Sequence, residues 1–186
     1  MLRNTPSRAR ETQHESRGSL RGEHAASDSR RRAAGSAGGR GTGQIINVSS
    51  AVGLVPIPFG GFYSASKFAL EAYTEVLRHE VKSLGVRVSL VEPGFIKTRL
   101  GENTQEPAGR ITAYDPWRKR AFEARRRYAG AAPEPTVVAE CILRIVESPR
   151  PRLRYPIGKE ATRGARLRRV LPEALFERGM RRYFRL

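Results

Sequence analysis

The sequence predicts an α/β fold in which helices cover a parallel sheet, and three observations support this prediction. A β-branched run opens at Gln44, a long stretch of helical periodicity follows it, and a second apolar run begins at Val86. Strand, long helix and strand form the crossover unit of a parallel sheet, because parallel neighbours need a connection that returns the chain to the starting edge. The chain has 186 residues, of which 39% are hydrophobic, enough to bury the core of one domain.

The N-terminal residues differ in composition from the rest of the chain. Residues 1–43 are rich in Arg, Ser and Gly, and Leu2 and Leu20 are their only large aliphatic residues beyond Met1. So little apolar surface cannot offset the entropy lost on ordering. We therefore predict a disordered leader over residues 1–43 and a folded domain over residues 44–186.

The first strand and the first helix are predicted from β-branched content and from helical periodicity. The strand spans Gln44–Val48 and is expected to be buried on both faces. Two prolines and two glycines in residues 55–61 exclude regular structure there. The helix spans Tyr63–Leu84, and Gly85 is placed to end it. Its apolar positions are Phe68, Ala69, Ala72, Tyr73, Val76, Leu77, Val81 and Leu84.

The next elements follow in chain order. A second strand is predicted over Val86–Glu92, and Pro93-Gly94 ends it. The polar, Arg-rich residues 103–130 are predicted to be a mobile helical segment. A helix over Pro135–Glu147 follows, with Pro135 in its first turn. Its apolar side is formed by Val138, Ile142, Ile145 and Val146.

The C-terminal region combines a short strand with basic helices. The strand is predicted over Arg154–Ile157, at a sheet edge where Pro156 is tolerated. Two amphipathic helices are predicted to follow, near Thr162–Val170 and Pro172–Tyr183. Residues 150–186 hold twelve basic and three acidic residues, a net +9 of the formal +17 of the whole chain.

The basic charge at the two ends of the chain has two interpretations. It is the footprint expected of a protein that binds nucleic acid or an anionic membrane. It also arises from solvated helix faces in an Arg-rich protein. Because no aromatic residue lies among the N-terminal arginines, we favour the second interpretation and do not expect a nucleic-acid partner.

The single cysteine, Cys141, lies in an apolar run and is predicted to be a buried thiol in a reducing compartment. No apolar stretch reaches the roughly 18 residues that span a bilayer, and no secretory apolar segment follows the first residues. We therefore predict a cytoplasmic protein with no transmembrane segment and no metal site.

Side chains suited to carbonyl chemistry fall at the predicted strand ends and on the first helix. Tyr63 and Lys67 stand four residues apart, so their side chains share one helix face. A phenol is a poor base at neutral pH, and a nearby ammonium group favours its ionised form. Ser50 follows the first strand and Pro93-Gly94 the second, and the carboxyl ends of parallel strands line a ligand crevice. We expect Ser50, Tyr63 and Lys67 to converge there. A serine hydroxyl at that edge can hydrogen-bond a substrate carbonyl oxygen.

Three runs of sequence are weak signals singly and specific together. They are Asn47-Val48-Ser49-Ser50-Ala51-Val52-Gly53, Tyr63-Ser64-Ala65-Ser66-Lys67 and Val91-Glu92-Pro93-Gly94-Phe95-Ile96-Lys97-Thr98. Taken in order, they strongly resemble the short-chain dehydrogenase/reductase family. The run over residues 62–71 is most similar to members that act on hydroxysteroids, retinol and other lipophilic alcohols. The resemblance implies a Rossmann-like, doubly wound parallel sheet, of which this chain holds the last three of seven strands.

The resemblance also implies catalytic roles. Tyr63 would be the general acid/base, which protonates a carbonyl oxygen in reduction and deprotonates the alcohol in oxidation. Ser50 would orient that oxygen. Lys67 would favour the ionised tyrosine and hydrogen-bond the nicotinamide ribose. The implied function is the interconversion of an alcohol and a ketone or aldehyde.

The implied cofactor is NAD or NADP. Pro93, Gly94 and Ile96 would pack against the nicotinamide and meet its carboxamide through backbone groups. Thr98 would hydrogen-bond near the carboxamide or the pyrophosphate. Tyr63 and Lys67 would contact the same end of the cofactor.

The sequence departs from the family pattern in its first half. The family begins with a strand, a glycine-rich turn and a helix whose N-terminus holds the pyrophosphate. Residues 35–43 are glycine-rich but follow no predicted strand, so we do not expect them to form that turn. The residue that selects NAD or NADP and a further catalytic asparagine belong to the same absent half, and Asn47 does not correspond to that asparagine. We expect a truncated chain that binds the cofactor poorly and turns over little substrate.

Three hypotheses remain open from the sequence. The chain is a truncated oxidoreductase, a non-enzymatic basic fragment that binds nucleic acid or membrane, or one half of a split enzyme. The intact catalytic spacing favours the first, because a chain selected only for binding would not need it. In the family, the helix corresponding to Tyr63–Leu84 often packs against its twin in a homodimer. Ala69, Ala72 and Tyr73 would serve that contact here or belong to the core.

Overall fold

The structure, a computed structural model, describes residues 43–99, Gly109 and residues 111–186. Residues 1–42 of the predicted leader lie outside the described residues, as do residues 103–108 and 110 of the predicted mobile segment. Gly43, predicted to end the leader, is instead the first residue of the first strand. In the described part every strand is followed by one or two helices, as in an α/β fold.

Three strands form one parallel sheet, which confirms the predicted fold class. The strands are β1 (Gly43–Val48), β2 (Val86–Pro93) and β3 (Arg154–Ile157), and β2 lies between the other two. The register pairs Gly43 with Val86 and Leu90 with Arg154. Strand β3 is an edge strand, as predicted from its proline. The carboxyl ends of all three strands therefore meet along one edge of the sheet.

Among the described residues five α-helices surround the sheet, and all five were predicted, with shifted ends. They are α1 (Gly61–Glu80), α2 (Asp115–Gly130), α3 (Thr136–Glu147), α4 (Lys159–Val170) and α5 (Glu173–Phe184). Helix α1 begins two residues before the predicted start, because the Gly60 carbonyl already accepts the Ser64 N–H at 2.8 Å. Its predicted last turn is a separate 3-10 turn over Lys82–Leu84, and Gly85 ends it in the left-handed region at φ 72°.

The apolar spacing that predicted helix α1 marks its buried face only in part, because Leu77 and Val81 are buried but other positions are not. Val76 is 51% exposed, and Ala69 and Ala72 are also exposed. The helical residues that are buried are Ser64, Glu71, Thr74 and Leu77. Polar residues are tolerated there because they have partners: the Thr74 hydroxyl accepts the Asn47 amide at 2.9 Å. Among the apolar positions predicted for this helix, Tyr73 is partly buried and packs against the core residues.

The apolar core has one part on each face of the sheet. Val86 and Val88 pack with Leu77 and Val81, against α1. Val91 points to the opposite face, because side chains alternate along a strand. It packs with the helix α3 residues Cys141 and Ile145, so the predicted burial of Cys141 is confirmed. Val146, predicted on the apolar side of α3, is 52% exposed, because it lies beyond the edge of the stripe that Cys141 and Ile145 define.

Candidate active site

Ser50 lies just beyond β1, at the carboxyl edge of the sheet. The Ser49 N–H donates to the Val91 carbonyl at 2.8 Å, so β1 stays against β2 up to this point. Ser50 then caps a 3-10 turn over Ala51–Gly53, and its hydroxyl oxygen accepts an N–H of that turn at 3.4 Å. The hydroxyl donates to the Pro93 carbonyl, also at 3.4 Å. One long hydrogen bond thus joins Ser50 to the end of β2, and a second joins it to its own turn.

Helix α1 brings Lys67 and Tyr63 to the same edge. The Lys67 ammonium group donates to the Val48 carbonyl at 3.2 Å and lies 5.9 Å from the centroid of the Tyr63 ring. Val48 is the last residue of β1, two residues before Ser50. Lys67 therefore links Tyr63 to the strand end that carries Ser50. That the Tyr63 and Ser50 hydroxyls reach one substrate oxygen stays a prediction.

Pro93 and Gly94 end β2 at this edge, and Pro93 is in direct contact with Ser50. The Gly94 N–H donates to the Ile157 carbonyl at 2.8 Å. A Cβ atom at position 94 would lie 3.2 Å from that same oxygen, tighter than ordinary contacts. Glycine therefore lets β2 and β3 stay close where both strands end.

Lys97, in the segment after Gly94, bonds the residues that directly precede α3. The Lys97 N–H donates to the Pro133 carbonyl at 3.0 Å, and its ammonium group pairs with Glu134 at 2.5 Å. Ile96 is half-buried and Thr98 is exposed on either side of this anchor. Ile96 and Thr98, both predicted to bind the cofactor, therefore follow the end of β2, whereas Pro93 and Gly94 lie at that end.

Behind the edge lies a cluster of charged side chains that the sequence analysis did not single out. The Arg154 guanidinium of β3 donates to three carboxylates: Glu71 and Glu75 of α1 and Glu92 of β2. The side chains of Glu92 and Glu71 are only 1% and 6% exposed. Burial raises the pKa of Glu92 to about 7, although its hydrogen bond to Arg154 acts in the opposite direction. A signal was present in the sequence, because a glutamate inside an apolar strand requires a buried cation as partner.

Arg125 of α2 is a second charged residue that the sequence analysis missed. Burial lowers the pKa of its guanidinium, and the charge of Tyr63 opposes that shift. No local pattern marks Arg125 among the many arginines of its helix.

A stack of aromatic rings joins the segment after β2 to the C-terminal helices. The Phe95 and Tyr128 centroids are 5.8 Å apart, and the Tyr128 and Tyr183 centroids are 4.5 Å apart with nearly parallel rings. Burial raises the pKa of Tyr183, and its hydrogen bond with Tyr128 raises it further. The stack holds α2 and α5 against the edge that carries the site.

Exposed apolar side chains lie in the loop before helix α1 and at the start of helix α2. We call Phe59, Ile111, Tyr114 and Trp117 the aromatic rim; their exposed fractions run from 40% to 61%. The Phe59 and Tyr114 rings meet edge to face, with centroids 6.4 Å apart. Phe59 has a φ of 56°, a left-handed conformation that is unfavourable for a bulky residue. The loop before Tyr63 therefore holds this ring outward at some cost in backbone energy.

The strand order, the helices on both faces and the polar edge define a Rossmann-like α/β domain, and comparisons with known proteins agree. A family model for short chain dehydrogenase matches residues 32–109. The 17-beta-hydroxysteroid dehydrogenase type 6 of Mus musculus is 37% identical over 132 residues, which are 64% of this chain and 41% of that protein. A short-chain dehydrogenase from Streptomyces avermitilis has a TM-score of 0.56 at 28% identity, over 76% of this chain and 52% of that one. A short-chain dehydrogenase from Burkholderia cenocepacia in complex with NADP has a TM-score of 0.53 at 26% identity, over 74% of this chain and 47% of that one.

The chain belongs to the short-chain dehydrogenase family, a family of oxidoreductases. It spans about half the length of the curated relatives it matches; for three of them the matched share is 41%, 48% and 56%. In the part that the structure describes, no helix is both long enough and apolar enough to cross a bilayer.

Proposed function

We propose that this chain supplies the catalytic groups of an NAD- or NADP-dependent oxidoreductase that interconverts an alcohol and a ketone or aldehyde. The position of the Lys67 ammonium group is the observation that carries the proposal. It bonds the last carbonyl of β1 at 3.2 Å and lies 5.9 Å from the Tyr63 ring. A cation in this position can stabilise the ionised phenol of Tyr63 while it bonds the end of β1, two residues before Ser50.

In this proposal the three side chains hold the reacting oxygen and move one proton. The Tyr63 hydroxyl donates its proton to the carbonyl oxygen in reduction and accepts one from the alcohol in oxidation. The Lys67 charge favours the ionised phenol. Both hydrogen bonds of the Ser50 hydroxyl are 3.4 Å long, so it can exchange one for a shorter bond to the substrate oxygen. The nicotinamide, when bound, supplies or accepts the hydride.

The residues at this edge fit the nicotinamide end of a dinucleotide. Lys67 has further N–H donors for a ribose hydroxyl, because an ammonium group carries three. Pro93 and Ile96 offer apolar contact, Gly94 permits close backbone approach, and Thr98 adds a hydroxyl. Among the described residues, no glycine-rich turn joins a strand to a helix in the way that holds a pyrophosphate. The fit therefore concerns one half of the cofactor, and it does not choose between NAD and NADP.

We propose a lipophilic substrate on two grounds. The aromatic rim offers exposed rings beside the start of helix α1, where a substrate would approach Tyr63. The mouse relative is by its name a dehydrogenase of hydroxysteroids, which are lipophilic alcohols. Apolar contacts on the rim would hold such a molecule while its oxygen reaches the polar edge.

We also propose a cytoplasmic homodimer. The apolar stripe of α1 that includes Ala69, Ala72 and Val76 is exposed, and small side chains allow two helices to approach closely. Cys141 is a buried free thiol, which agrees with a reducing compartment.

Membership of an oxidoreductase family does not favour the alternative of a non-enzymatic basic fragment.

The test is a carbonyl-reduction assay with apolar ketones, followed by NADH and NADPH absorbance. It is run on the 186-residue chain and on a chimera in which the part of the NADP-bound Burkholderia cenocepacia enzyme that this chain does not match precedes Gly43. Tyr63→Phe removes the proton donor and should lower kcat at least about 100-fold. Tyr155→Phe, which removes a phenol from β3, is the matched control and should keep kcat within about twofold of the unsubstituted protein. Activity that survives Tyr63→Phe, or a chimera that binds cofactor and reduces no ketone, would overturn the proposal.

A further inference from the structure

A contribution to stability does not by itself explain why charged side chains are buried around Arg154. Arg154 bonds Glu92 and Glu75 at 2.5 Å and also bonds Glu71, so one cation faces three carboxylates. Two of those carboxylates are almost fully buried, and desolvation of charged groups is unfavourable. Apolar residues of similar volume commonly stabilise a core equally well or better.

Each buried member of this cluster is adjacent to a catalytic group. Glu71 lies one turn after Lys67 on α1, and so on the same helix face. Glu92 directly precedes Pro93, whose carbonyl accepts the Ser50 hydroxyl. The cluster thus bonds the helix that carries Tyr63 and Lys67 to the strand end that contacts Ser50.

The turn after Ser50 is packed directly against Glu71. A Cβ atom at Gly53 would lie 3.0 Å from Glu71 Cγ and 2.9 Å from Ser49 Oγ. Among the described residues, Ser49 Oγ and Glu71 Oε1 are the two buried side-chain atoms without a hydrogen-bond partner. A buried polar atom without a partner is unfavourable. Glu71 is therefore held in place chiefly by Arg154, and not by local hydrogen bonds around its other oxygen.

We propose that Arg154, Glu71 and Glu92 form a positioning cluster, which sets the distance between helix α1 and the end of β2. The cluster keeps Tyr63 and Lys67 facing Ser50. The proposal rests on the proposed function for the identity of the catalytic groups. Its three members do not touch the substrate, and they act through the elements that they join.

The experiment compares Glu71→Gln, Glu92→Gln and Arg154→Met with a matched control, Glu177→Gln. Glu177 pairs with Arg181 on the exposed face of α5 at 3.9 Å, away from the edge. The first readout is the ¹³Cζ resonance of Tyr63 in tyrosine-labelled protein, assigned among the six tyrosines by its loss in Tyr63→Phe. The second is the separate change of kcat and KM in the chimera, with the melting temperature recorded for every variant.

We expect the Tyr63 resonance to shift in both glutamine variants and to stay unchanged in Glu177→Gln. We expect kcat to fall about 10–100-fold, because small displacements of catalytic groups have effects of that size, while KM changes less than about threefold. If Arg154→Met does not fold, the glutamine variants decide. Glutamine variants that melt earlier but keep the native Tyr63 resonance and kcat would overturn the proposal, because the cluster would then act on stability alone. A shifted resonance in a protein without Tyr63-dependent turnover would support the positioning cluster and refute the proposed function.

Discussion

At the scale of single residues, the site is oriented by backbone oxygens. Lys67 bonds the Val48 carbonyl and Ser50 bonds the Pro93 carbonyl, both at the ends of paired strands. The register of β1 on β2 fixes those carbonyls, because Val48 pairs with Val91. The orientation of the reactive side chains therefore follows from strand pairing, and a change that displaces either strand end should displace the site.

Gly53 is the residue whose replacement should test this packing most directly. In Gly53→Ala, the new methyl group would lie 2.9 Å from Ser49 Oγ, 3.0 Å from Glu71 Cγ and 3.1 Å from the Lys67 carbonyl. We expect the free energy of unfolding to fall by about 1–3 kcal/mol, as in other overpacked sites. Urea unfolding followed by circular dichroism measures it.

The control for this substitution is Gly179→Ala in helix α5. Position 179 has no atom within 4 Å of the added methyl group. Alanine should raise the free energy of unfolding there by about 0.5–1 kcal/mol, because it loses less backbone entropy than glycine in a helix. Equal stability of Gly53→Ala and the unsubstituted chain would show that the turn is not packed as described.

At the scale of elements, helix α1 shows how buried polar residues replace an apolar stripe. Its inward face uses Thr74 to bond Asn47 of β1 and Glu71 to bond Arg154 of β3. Leu77 and Val81 supply the apolar part of the same interface. The helix therefore contacts all three strands. It does so through hydrogen bonds to β1, an ion pair with β3 and apolar packing of Leu77 and Val81 on β2.

The buried Glu92 should make stability depend on pH. Its folded-state pKa is raised by burial from 4.5 to about 7, against the opposing hydrogen bond from Arg154. The charged groups that act on it are Arg154 of β3, which lowers its pKa, and Glu71 of α1, which raises it. Between pH 4.5 and 7 the folded state binds more protons at Glu92 than the unfolded state does, so its contribution to stability falls as pH rises through this window.

The measurement is the melting temperature at intervals from pH 5 to pH 8 for the unsubstituted chain and for Glu92→Gln. The difference between the two curves isolates Glu92, because other groups titrate in both proteins. We expect the unsubstituted chain to lose stability relative to Glu92→Gln as pH rises towards 8. Parallel curves would contradict the raised pKa.

At the scale of the whole molecule, the described residues form three parallel strands, and their carboxyl ends form the edge that carries the candidate site. Among the described residues β1 pairs only with β2, which leaves its other edge open to a further strand. The solved relatives extend well beyond the matched region, since the alignments cover 47% and 52% of those chains. The chain contains the residues that we propose for proton transfer, and the described part contains no glycine-rich turn between a strand and a helix.

We therefore expect the 186-residue chain alone to bind NADH and NADPH weakly. Losing three or four charge-assisted hydrogen bonds to the phosphates, at about 1.5–3 kcal/mol each, lowers affinity by several orders of magnitude. Titration followed by cofactor fluorescence should give a dissociation constant above about 1 mM for the chain and a micromolar one for the chimera. Micromolar binding by the chain alone would contradict this prediction and would point to a phosphate site built from other residues.

The sequence by itself determined the strands, the helices and the identity of the candidate catalytic residues. Those features follow from patterns over a few residues, such as β-branched runs, helical periodicity and the spacing of Tyr63 and Lys67. The tertiary structure alone decided which face of α1 is buried and which charges meet beneath the site. Arg154 bonds partners 83 and 62 residues away in the chain, Glu71 and Glu92. No local pattern encodes a contact of that length, because it depends on how the strand register and the helix packing place three separate elements against one another.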